Sequence, residues 1–426
     1  MSNGHSGGST AAGGAPGGAA PAGKPGLVRN LSLGHAVLYG LGVTIGAGIY
    51  VLVGPAIGRA GAWAPLAFLI AAALLSLTAA SFAELGSRMP VAAGEAAYVR
   101  AGFGSDTLAT FTGLVVVAIS IVSAAAISVG SAGYVGQIVP LPQAVIIAAV
   151  VIAMGLVAAV GIRESVTFAG VMTVIEFGGL LVIVAAGAMM APVEAAQPSP
   201  AAAGVATITV AGMLSTTLLA VFAFIGFEGL ANVAEEVREP QRNLPLAIFI
   251  TLLVTTLLYI AVVWVCLRAV PAGELAGSPA PLAIVFERTT GADPRIMTLI
   301  AIIATLNGII VQIIMSARVL YGLAAQRSIP AAFGSVHAVT HTPILATAFT
   351  IVCVLVLAVA LPLDALADWT SRLILALFAF VNAALGFLKM REKVPPAGVF
   401  TVPVWVPWAG AVVTTAVLVA EMISSA

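Results

Sequence analysis

The chain has 426 residues, of which 61% are apolar and only 8% are charged, whereas soluble domains are about half apolar and about a quarter charged. A water-soluble fold of this length cannot hide so much apolar surface, so the composition predicts that lipid is the main solvent. The 17 basic and 17 acidic residues cancel. Without an excess of positive charge, the chain is not expected to bind nucleic acid.

A low-complexity stretch precedes the apolar part of the chain. Residues 1–28 are rich in Gly, Ala, Ser and Pro and lack the apolar centre of a signal peptide, which predicts a flexible tail. A membrane-spanning helix needs about 20 apolar residues, and eleven later segments are candidates for such helices. Their predicted bounds are approximately 33–58, 62–88, 105–138, 142–160, 165–190, 210–234, 243–268, 294–326, 342–361, 370–390 and 404–424.

The distribution of positive charge predicts the orientation of these segments. With the N-terminus in the cytoplasm, alternate loops place 12 Lys and Arg residues on the inner side and 5 on the outer side, which accounts for all 17. The positive-inside rule favours this arrangement. We therefore expect a multi-pass protein of the cell membrane with a cytoplasmic N-terminus and, because the number of segments is odd, an external C-terminus.

Segment one carries small residues at its middle instead of its ends. Residues 38–50 read LYGLGVTIGAGIY, and glycine lowers helix stability and permits backbone angles that other residues avoid. A helix that breaks inside lipid strands amide and carbonyl groups, which is tolerated only where protein, water or a ligand satisfies them. A break would therefore indicate a binding cavity. The alternative is a helix-packing face, because Gly42 and Gly46 are four residues apart.

Segment six contains a second interruption. Residues 222–229 read FAFIGFEG and place two glycines and a carboxylate inside an apolar run. Corresponding interruptions in two halves of a chain are typical of inverted-repeat transporters with a binding site at the membrane midplane. Free N–H groups at the start of a half-helix attract a carboxylate, and free carbonyl groups at its end attract a cation. A zwitterionic amino acid would suit both ends.

Three motifs make the family recognisable. They are Gly46-Ala47-Gly48-Ile49, the run FIGFE at 224–228 and the run AEEVREPQRNLP at 234–245. With them the chain resembles the amino acid–polyamine–organocation superfamily from about residue 28 to about residue 424. The resemblance implies the LeuT-type fold, an all-α polytopic membrane protein in which helices one to five and six to ten form inverted repeats and helices one and six are discontinuous.

The resemblance also implies how the chain is divided. After the tail, residues 29–391 would form a ten-helix transport core. Its first repeat would comprise residues 29–190 and its second repeat residues 205–391. Residues 392–426 would then form a peripheral C-terminal helix.

Carried over residue by residue, the resemblance implies how helices one and six hold a substrate. The substrate carboxylate would lie on the backbone amides of Ala47 and Gly48, and its ammonium group would meet the carbonyl groups of Thr44, Phe222 and Ile225. Phe222 also stands where related transporters can place an aromatic gate. The implied substrate-binding residues are Thr44, Ile45, Gly46, Ala47, Gly48, Ser120, Ala124, Ile127, Phe222, Ala223, Ile225, Gly226 and Gln312.

Segments three and eight are expected to line the pocket for the substrate side chain. Ser120, Ala124 and Ile127 share one face of segment three through spacings of three and four residues. Gln312 and Ser316 do the same on segment eight. Polar residues of this kind also hold neighbouring helices together in membranes, so a packing role is the alternative.

Two carboxyl groups lie deep inside apolar segments, where ionisable groups are costly and usually functional. Glu228 matches a family position associated with proton-linked gating, although a protonated carboxyl that bonds a neighbouring helix would look the same. Glu176 lies on segment five, where some proton-driven relatives carry a lysine in place of a sodium site, and this chain departs from that pattern. We expect Glu176, Glu228, Phe222 and Ser316 to take part in coupling or gating, with H⁺ or Na⁺ as the coupling ion.

The predicted function is a permease for a small or medium neutral amino acid, acting by proton coupling or exchange. A carrier of cationic amino acids, polyamines or organic amines is the alternative, because two carboxylates could pair with a second positive group. A channel is the alternative from another class, but no ring of carbonyl groups or charges indicates a filter. No enzyme is expected, since no nucleophile of the deep segments stands beside a base or a metal cluster.

No cofactor or metal site is predicted. His337 and His341 have a spacing that can suit a metal, but Pro343 follows closely and no third ligand is evident. The expected partners are the lipid bilayer and a small amino acid substrate, and the sequence does not specify an oligomeric state.

Overall fold

The computed structural model of the chain describes residues 31–90, 94–160, 166–190, 209–337, 340, 342–392 and 397–424. The predicted tail at 1–28 and His341 lie outside these residues. Within them the chain is helical, and its only strand-like pairing is an isolated bridge between Leu31 and Val237. The prediction of an all-α fold is confirmed.

Each of the eleven predicted segments corresponds to a helical element. The α-helices are α1 (Leu33–Ala60), α2 (Ala64–Arg88), α3 (Gly94–Phe103), α4 (Asp106–Val135), α5 (Gln143–Val160), α6 (Val166–Met189), α7 (Val210–Phe224), α8 (Pro240–Ala269), α9 (Ala272–Gly277), α10 (Pro281–Thr290), α11 (Arg295–Ala325), α12 (Ile344–Ala360), α13 (Leu363–Arg391) and α14 (Trp405–Ser424). Segment six consists of α7 and the 3₁₀ helix Phe227–Glu236. The short helices α3, α9 and α10 lie between the segments and were not predicted.

Length and composition allow these helices to span a membrane. Among the described residues, 9 helical stretches are long and apolar enough, and the first of them, Leu33–Arg88, contains both α1 and α2. The shorter apolar helix Ile344–Ala360 is a further candidate. The chain is therefore a polytopic membrane protein. We call the two faces of the molecule the Leu33 side, where α1 begins, and the Ala60 side, where α1 ends.

Local sequence signals fix where several helices begin. The hydroxyl groups of Ser105 and Thr209 accept hydrogen bonds from the backbone amides of Leu108 and Gly212 and so cap α4 and α7. Proline occupies the first turn of α2, α8 and α10, where a missing N–H costs nothing. These helix ends lie at the loops. The apolar stretches between them are interrupted in α1 and in segment six.

Helix α1 lies at the centre of the molecule, in contact with α6, α7, α8, α9 and α11. Helix α4 packs along α11 and α13, and α2 packs along α8. At the Leu33 side, backbone bonds tie the start of α1 to the end of segment six, from Leu31 N–H to the Glu236 carbonyl at 2.9 Å and from Arg238 N–H to the Leu31 carbonyl at 2.8 Å. The two elements predicted to be interrupted are thus neighbours.

Each side of the molecule carries a cluster of ion pairs. On the Ala60 side, Arg59 of α1 contacts both carboxylate oxygens of Asp368 on α13 at 3.0 and 3.3 Å, and it donates to Ser215 Oγ of α7 at 2.7 Å. On the Leu33 side, the fully buried Glu84 of α2 pairs with Arg88 and with Lys389 of α13. Both clusters therefore join helices that are distant in sequence.

Candidate functional site

The middle of α1 is not helical. Gly46 has φ 12° and ψ −131°, so the helix consists of two parts, residues 33–45 and 47–60, that meet at a kink. The N–H groups of Ala47 and Gly48 begin the second part and have no preceding turn to bond to. The predicted interruption of segment one is present, and it places the amide groups of Ala47 and Gly48 at the start of a helical part.

Segment six is interrupted two residues after Phe224. Helix α7 ends at Phe224. Ile225 then takes extended-type angles with φ −58° and ψ 129°, and Gly226 has φ 135°. This φ suits glycine because it has no Cβ. The chain then continues as the 3₁₀ helix Phe227–Glu236. The predicted interruption of segment six is therefore also present.

The two interruptions touch one another. A Cβ atom added to Gly48 would lie 2.8 Å from the Ala223 Cα, and one added to Gly226 would lie 2.7 Å from the Thr44 Cα. Real Cβ atoms essentially never come this close to backbone. The glycines at these positions are therefore required for the close approach of the two backbones.

Tyr259 of α8 bridges the two interruptions. Its hydroxyl oxygen lies 2.9 Å from the carbonyl oxygens of both Thr44 and Ala223 and 3.5 Å from that of Ile45. One hydroxyl hydrogen can serve only one acceptor at a time. The side chain thus holds the end of the first part of α1 against the end of α7.

Aromatic rings pack on both sides of the interruption in segment six. Phe224 packs with Phe68 and Tyr259 at ring-centroid distances of 6.2 and 5.1 Å. On the other side, Phe227 packs with Phe82 and with Phe378 of α13 at 6.1 and 5.6 Å. Such edge and tilted contacts favour one arrangement of the rings, so the interrupted backbone has rigid neighbours.

Glu228 occupies the amide end that follows the interruption in segment six. Its carboxylate oxygen Oε2 accepts a hydrogen bond from the Gly226 N–H at 2.9 Å, and the residue is 9% exposed. A carboxylate of the chain therefore already lies at this N-terminus, as the local dipole favours. The corresponding end of α1, at Ala47 and Gly48, lines the cavity, and no carboxylate of the described residues bonds it.

A cavity lies at the interruptions between α1, α4, α7 and α11. The residues that line it are Gly42, Val43, Thr44, Gly46, Ala47, Gly48, Ser123, Ile127, Phe222, Ile225, Asn307, Gly308, Val311 and Gln312. None of these residues is charged, and the polar side chains among them are hydroxyl and amide groups. The cavity can therefore offer hydrogen bonds and backbone dipoles to a small solute, but no full opposite charge.

The structure places the sequence-predicted residues in three groups. Those on the cavity wall are Thr44, Gly46, Ala47, Gly48, Ile127, Phe222, Ile225 and Gln312. Those in the interrupted backbone but off the wall are Ile45, Ala223 and Gly226. The others, Ser120, Ala124 and Ser316, are buried between helices away from the wall, and Ser316 Oγ lies 2.9 Å from Thr350 Oγ1.

Several wall residues were not singled out from the sequence. On α4, Ser123 lies on the wall together with Ile127, whereas Ser120 and Ala124 do not. Spacings of three and four residues place all four on one broad face, and packing decides which of them meet the cavity. On α11, Asn307, Gly308 and Val311 join Gln312 on the wall. Gly308 is four residues before Gln312, so that spacing could have indicated it, whereas Asn307 and Val311 are five residues and one residue away. Tyr259 also was not predicted.

Glu176 of α6 lies behind the cavity wall. It is fully buried, its Oε1 atom is 3.5 Å from the side-chain amide nitrogen of Asn307, and its Oε2 atom has no hydrogen-bond partner. The Tyr50 hydroxyl donates to the backbone carbonyl of Glu176 at 2.6 Å. Asn307 thus stands between the cavity and a buried carboxyl group, which links the two.

Two other buried carboxyl groups, those of Glu84 and Glu421, are paired with cations. Glu84 bonds Lys389 at 2.7 and 2.9 Å and receives the Val402 N–H at 2.8 Å. Glu421 of α14 pairs with Arg372 at 2.6 Å. The two carboxyl groups predicted to be functional lie elsewhere: Glu176 contacts the wall residue Asn307 from behind, and Glu228 bonds the interruption in segment six.

Comparisons with known proteins give one family model and several related sequences. The sequence model of the amino acid permease family matches residues 31–426. The branched-chain amino acid permease BcaP of Bacillus subtilis is 29% identical over 402 residues, covering 88% of this chain and 84% of that protein. The vacuolar cationic amino acid transporter 2 of Arabidopsis thaliana is 30% identical over 397 residues, covering 87% of this chain and 61% of that protein. The methylthioribose transporter of Bacillus subtilis is 26% identical over 396 residues, covering 87% of this chain and 82% of that protein.

Proposed function

The chain belongs to the amino acid permease family, and we propose that it is a secondary active transporter that moves neutral amino acids across the cytoplasmic membrane by alternating access. The observation that carries this proposal is the cavity at two interrupted helices, lined by backbone groups and uncharged side chains. Such a cavity suits a zwitterionic solute, which carries one positive and one negative charge of its own.

The backbone at the interruptions supports binding of the α-amino and α-carboxylate groups. The substrate carboxylate lies at the amides of Ala47 and Gly48, where the second part of α1 begins and its dipole is positive. The ammonium group lies toward the carbonyl groups that end the preceding helical parts, at Thr44, Phe222 and Ile225. Because Glu228 already satisfies the Gly226 amide, the α1 end is the one available to a carboxylate.

The uncharged wall favours a neutral side chain over a cationic one. A lysine or arginine substrate would bring a second positive charge into a low-dielectric site, where an unpaired charge is costly. None of the residues lining the cavity supplies an opposite charge. Because cationic amino acid transporters are among the relatives, a cationic amino acid or organic amine is the second candidate. To pair with its second positive charge, the Glu176 carboxylate would have to extend past Asn307 into the cavity.

We assign the Leu33 side to the cytoplasm, in line with the distribution of Lys and Arg. Contacts on the opposite, external side support a state that is closed outward. Arg59 joins α1, α7 and α13 there, and a Cβ atom added to Gly54 would lie 2.7 Å from the Leu275 carbonyl oxygen at the end of α9. Opening outward must break the Arg59–Asp368 pair and separate these elements.

Coupling is assigned to the two buried carboxyl groups beside the cavity. Glu228 bonds the interrupted backbone, so a change of its protonation alters the bond to Gly226. Glu176 contacts the cavity wall through Asn307 and has a free carboxylate oxygen, Oε2, able to hold a proton or contribute to a sodium site. We favour H⁺ as the coupling ion, with exchange of internal for external amino acid as the alternative mode.

Uptake by proteoliposomes tests the function. We expect saturable uptake of labelled alanine, competition by neutral amino acids ahead of lysine, arginine and amines, and acceleration by internal amino acid. An imposed inward proton gradient should drive accumulation, and a sodium gradient should not. Uptake that is linear in concentration and shows no counterflow would indicate a channel instead, and a chemically altered product would indicate an enzyme.

Charge-neutral substitutions test the coupling groups. We expect Glu228→Gln or Glu176→Gln to lose most of the gradient-driven accumulation while exchange continues, because exchange needs no net proton movement. The control is Glu287→Gln, which removes an exposed carboxylate on α10. If both interior variants accumulate alanine like the wild type, the assignment of coupling to these groups is refuted.

A further inference from the structure

A line of charged residues follows one face of α13 near its Ala60 end. Asp364, Asp368 and Arg372 are each four positions apart, and residues with this spacing are neighbours on a helix surface. Arg59 of α1 contacts Asp368 at 3.0 Å and Asp364 at 3.7 Å. Two cations, Arg59 and Arg372, therefore flank the Asp368 carboxylate, and the charges of both act on it.

Arg372 is held by the last helix, α14. Its Nε and Nη2 atoms donate to the two carboxylate oxygens of Glu421 at 2.7 and 2.6 Å, and its guanidinium group lies over the Trp369 ring, 5.2 Å from the ring centroid. Two bonds of this kind fix the direction of a guanidinium group as well as its distance. Only 6% of the Glu421 side chain and 20% of the Arg372 side chain are exposed, so little water screens the pair.

The spacing on α13 gives Arg372 a second potential partner. An acidic residue four positions before a basic one is the favoured order for an ion pair along a helix, and side chains on a helix are directed toward its N-terminus. Asp368 and Glu421 therefore compete for the Arg372 guanidinium group. If Arg372 moved onto Asp368, that carboxylate would be shared between two cations, and its contact with Arg59 would weaken.

We propose that Glu421 is a positioning residue for the external closure: by binding Arg372, it keeps the Asp368 carboxylate for Arg59. This inference rests on the proposed function, in which the Arg59–Asp368 pair must break when the transporter opens outward. Helix α14 packs against α2, α7 and α13, and none of its residues lines the cavity. Its influence is therefore on how readily the external side opens and not on contact with the substrate.

The test substitutes Glu421→Gln and measures the KM for alanine from each side of the membrane, in intact cells and in inverted vesicles. Without the negative charge at 421, Arg372 moves to Asp368 and the external closure weakens, so a larger fraction of the protein faces outward. Apparent affinity follows the fraction of protein that is competent to bind, so we expect the external KM to fall about twofold to fivefold and the internal KM to rise. The control is Glu287→Gln, at an exposed carboxylate on α10, which should change neither KM.

A double variant provides the rescue. Glu421→Gln combined with Arg372→Gln also removes the competing cation, so both KM values should return to those of the wild type. Loss of both members of a buried pair is often tolerated, whereas loss of one leaves an uncompensated charge. If Glu421→Gln fails to fold, Glu421→Asp replaces it, because the shorter side chain keeps the charge but loosens the two bonds to Arg372. It should shift both KM values in the same directions, by a smaller factor.

The outcomes separate a positioning role from a structural one. A structural pair would lower Tm and the amount of inserted protein but leave both KM values unchanged, and that result overturns the inference. A double variant that keeps the shifted KM values of Glu421→Gln overturns it as well. In both cases saturable alanine transport by the wild type leaves the proposed function standing. If wild-type protein transports no amino acid, the proposed function is refuted, and the role of Glu421 in its closure is refuted with it.

Discussion

Single side chains decide whether the interrupted backbone keeps its shape. Tyr259 is fully buried, and its hydroxyl lies within 2.9 Å of two carbonyl oxygens that belong to different interruptions. Backbone carbonyl groups freed by a broken helix must be satisfied inside the protein, because lipid offers no donors. The tyrosine supplies a donor where two such groups meet, and a substrate ammonium group would add further donors nearby.

Removal of that hydroxyl should loosen the site. We expect Tyr259→Phe to lower the free energy of unfolding by about 1 to 3 kcal/mol, the cost of leaving a buried acceptor unsatisfied, and to raise the KM for the substrate. Thermal unfolding in detergent and proteoliposome uptake measure the two effects. Tyr321→Phe, at a tyrosine that is 39% exposed on α11, is the matched control. Equal stability and KM in both variants would contradict the bridging role.

Glu95 is a buried carboxyl group outside the long membrane-spanning helices. It lies on α3, is 6% exposed, and burial raises its pKa from 4.5 to about 6. The folded protein therefore retains a proton that the unfolded chain releases in this window. As pH rises from 4.5 through about 6, ionisation of the buried group destabilises the fold by roughly 2 kcal/mol, since one pKa unit corresponds to about 1.4 kcal/mol.

The substitution Glu95→Gln should remove this pH dependence. We expect the variant to have a higher Tm than the wild type at pH 7 and an equal Tm near pH 4.5, the usual carboxyl pKa. Unfolding profiles at several pH values give the comparison. Glu287→Gln, at an exposed site on α10, controls for the loss of one negative charge. A difference in Tm that is constant across the pH range would refute the explanation.

At the scale of helices, the sequence predicted where the long helices lie better than which face of a helix meets the cavity. Apolar length located the eleven long segments, and clustered glycines with Glu228 located both interruptions, because these features depend on short stretches of chain. The short helices α9 and α10 were not predicted, because contact with α1 and its neighbours stabilises them more than their own sequence does. Which face of a helix meets the cavity depends on its rotation, so Ser123 replaces Ser120 on the wall.

The contact between the two interruptions depends on glycine at position 48. A Cβ atom there would lie 2.8 Å from the Ala223 Cα and 3.0 Å from its carbonyl oxygen, and backbone cannot swing aside as a side chain can. We expect Gly48→Ala to force α1 and α7 apart and to reduce uptake by at least tenfold, because misplaced binding groups lose about a hundredfold for a shift near 1 Å. Proteoliposome uptake of alanine measures the loss.

A matched glycine makes this prediction specific. Gly178 of α6 has no atom within 4 Å of an added Cβ, so Gly178→Ala should transport like the wild type. If Gly48→Ala also does so while remaining fully inserted, the two interruptions do not need to touch, and the placement of the substrate at their contact would be wrong.

At the scale of the whole molecule, the ion-pair clusters of the two sides differ in how deeply they are buried. The Arg59 and Asp368 side chains on the Ala60 side are 21% and 22% exposed. On the Leu33 side, Glu84 and Lys389 are 0% and 7% exposed. Exposed pairs cost little to separate, whereas buried pairs leave uncompensated charges when they are broken. The Arg59 cluster therefore suits a contact that opens, and the Glu84 cluster suits a permanent joint.

The permanent joint should be a main source of stability. Glu84 pairs with Arg88 and Lys389 and accepts the Val402 N–H, so it joins α2, α13 and the segment before α14. We expect Glu84→Gln to leave the buried Lys389 without its counter-charge and Arg88 with Glu392 alone, and to lower the free energy of unfolding by about 3 to 5 kcal/mol. Loss of monodisperse protein and a fall in Tm measure the effect.

An exposed ion pair provides the comparison for that joint. Glu274 pairs with Arg288 at 2.8 Å between side chains that are 41% and 37% exposed, and such pairs contribute about 0 to 1 kcal/mol. Glu274→Gln should therefore leave Tm nearly unchanged. Because the Glu84 joint does not touch the cavity, Glu84→Gln protein that remains folded at low temperature should keep the wild-type KM. A selective change of KM with unchanged Tm would instead make the Glu84 cluster part of the transport cycle.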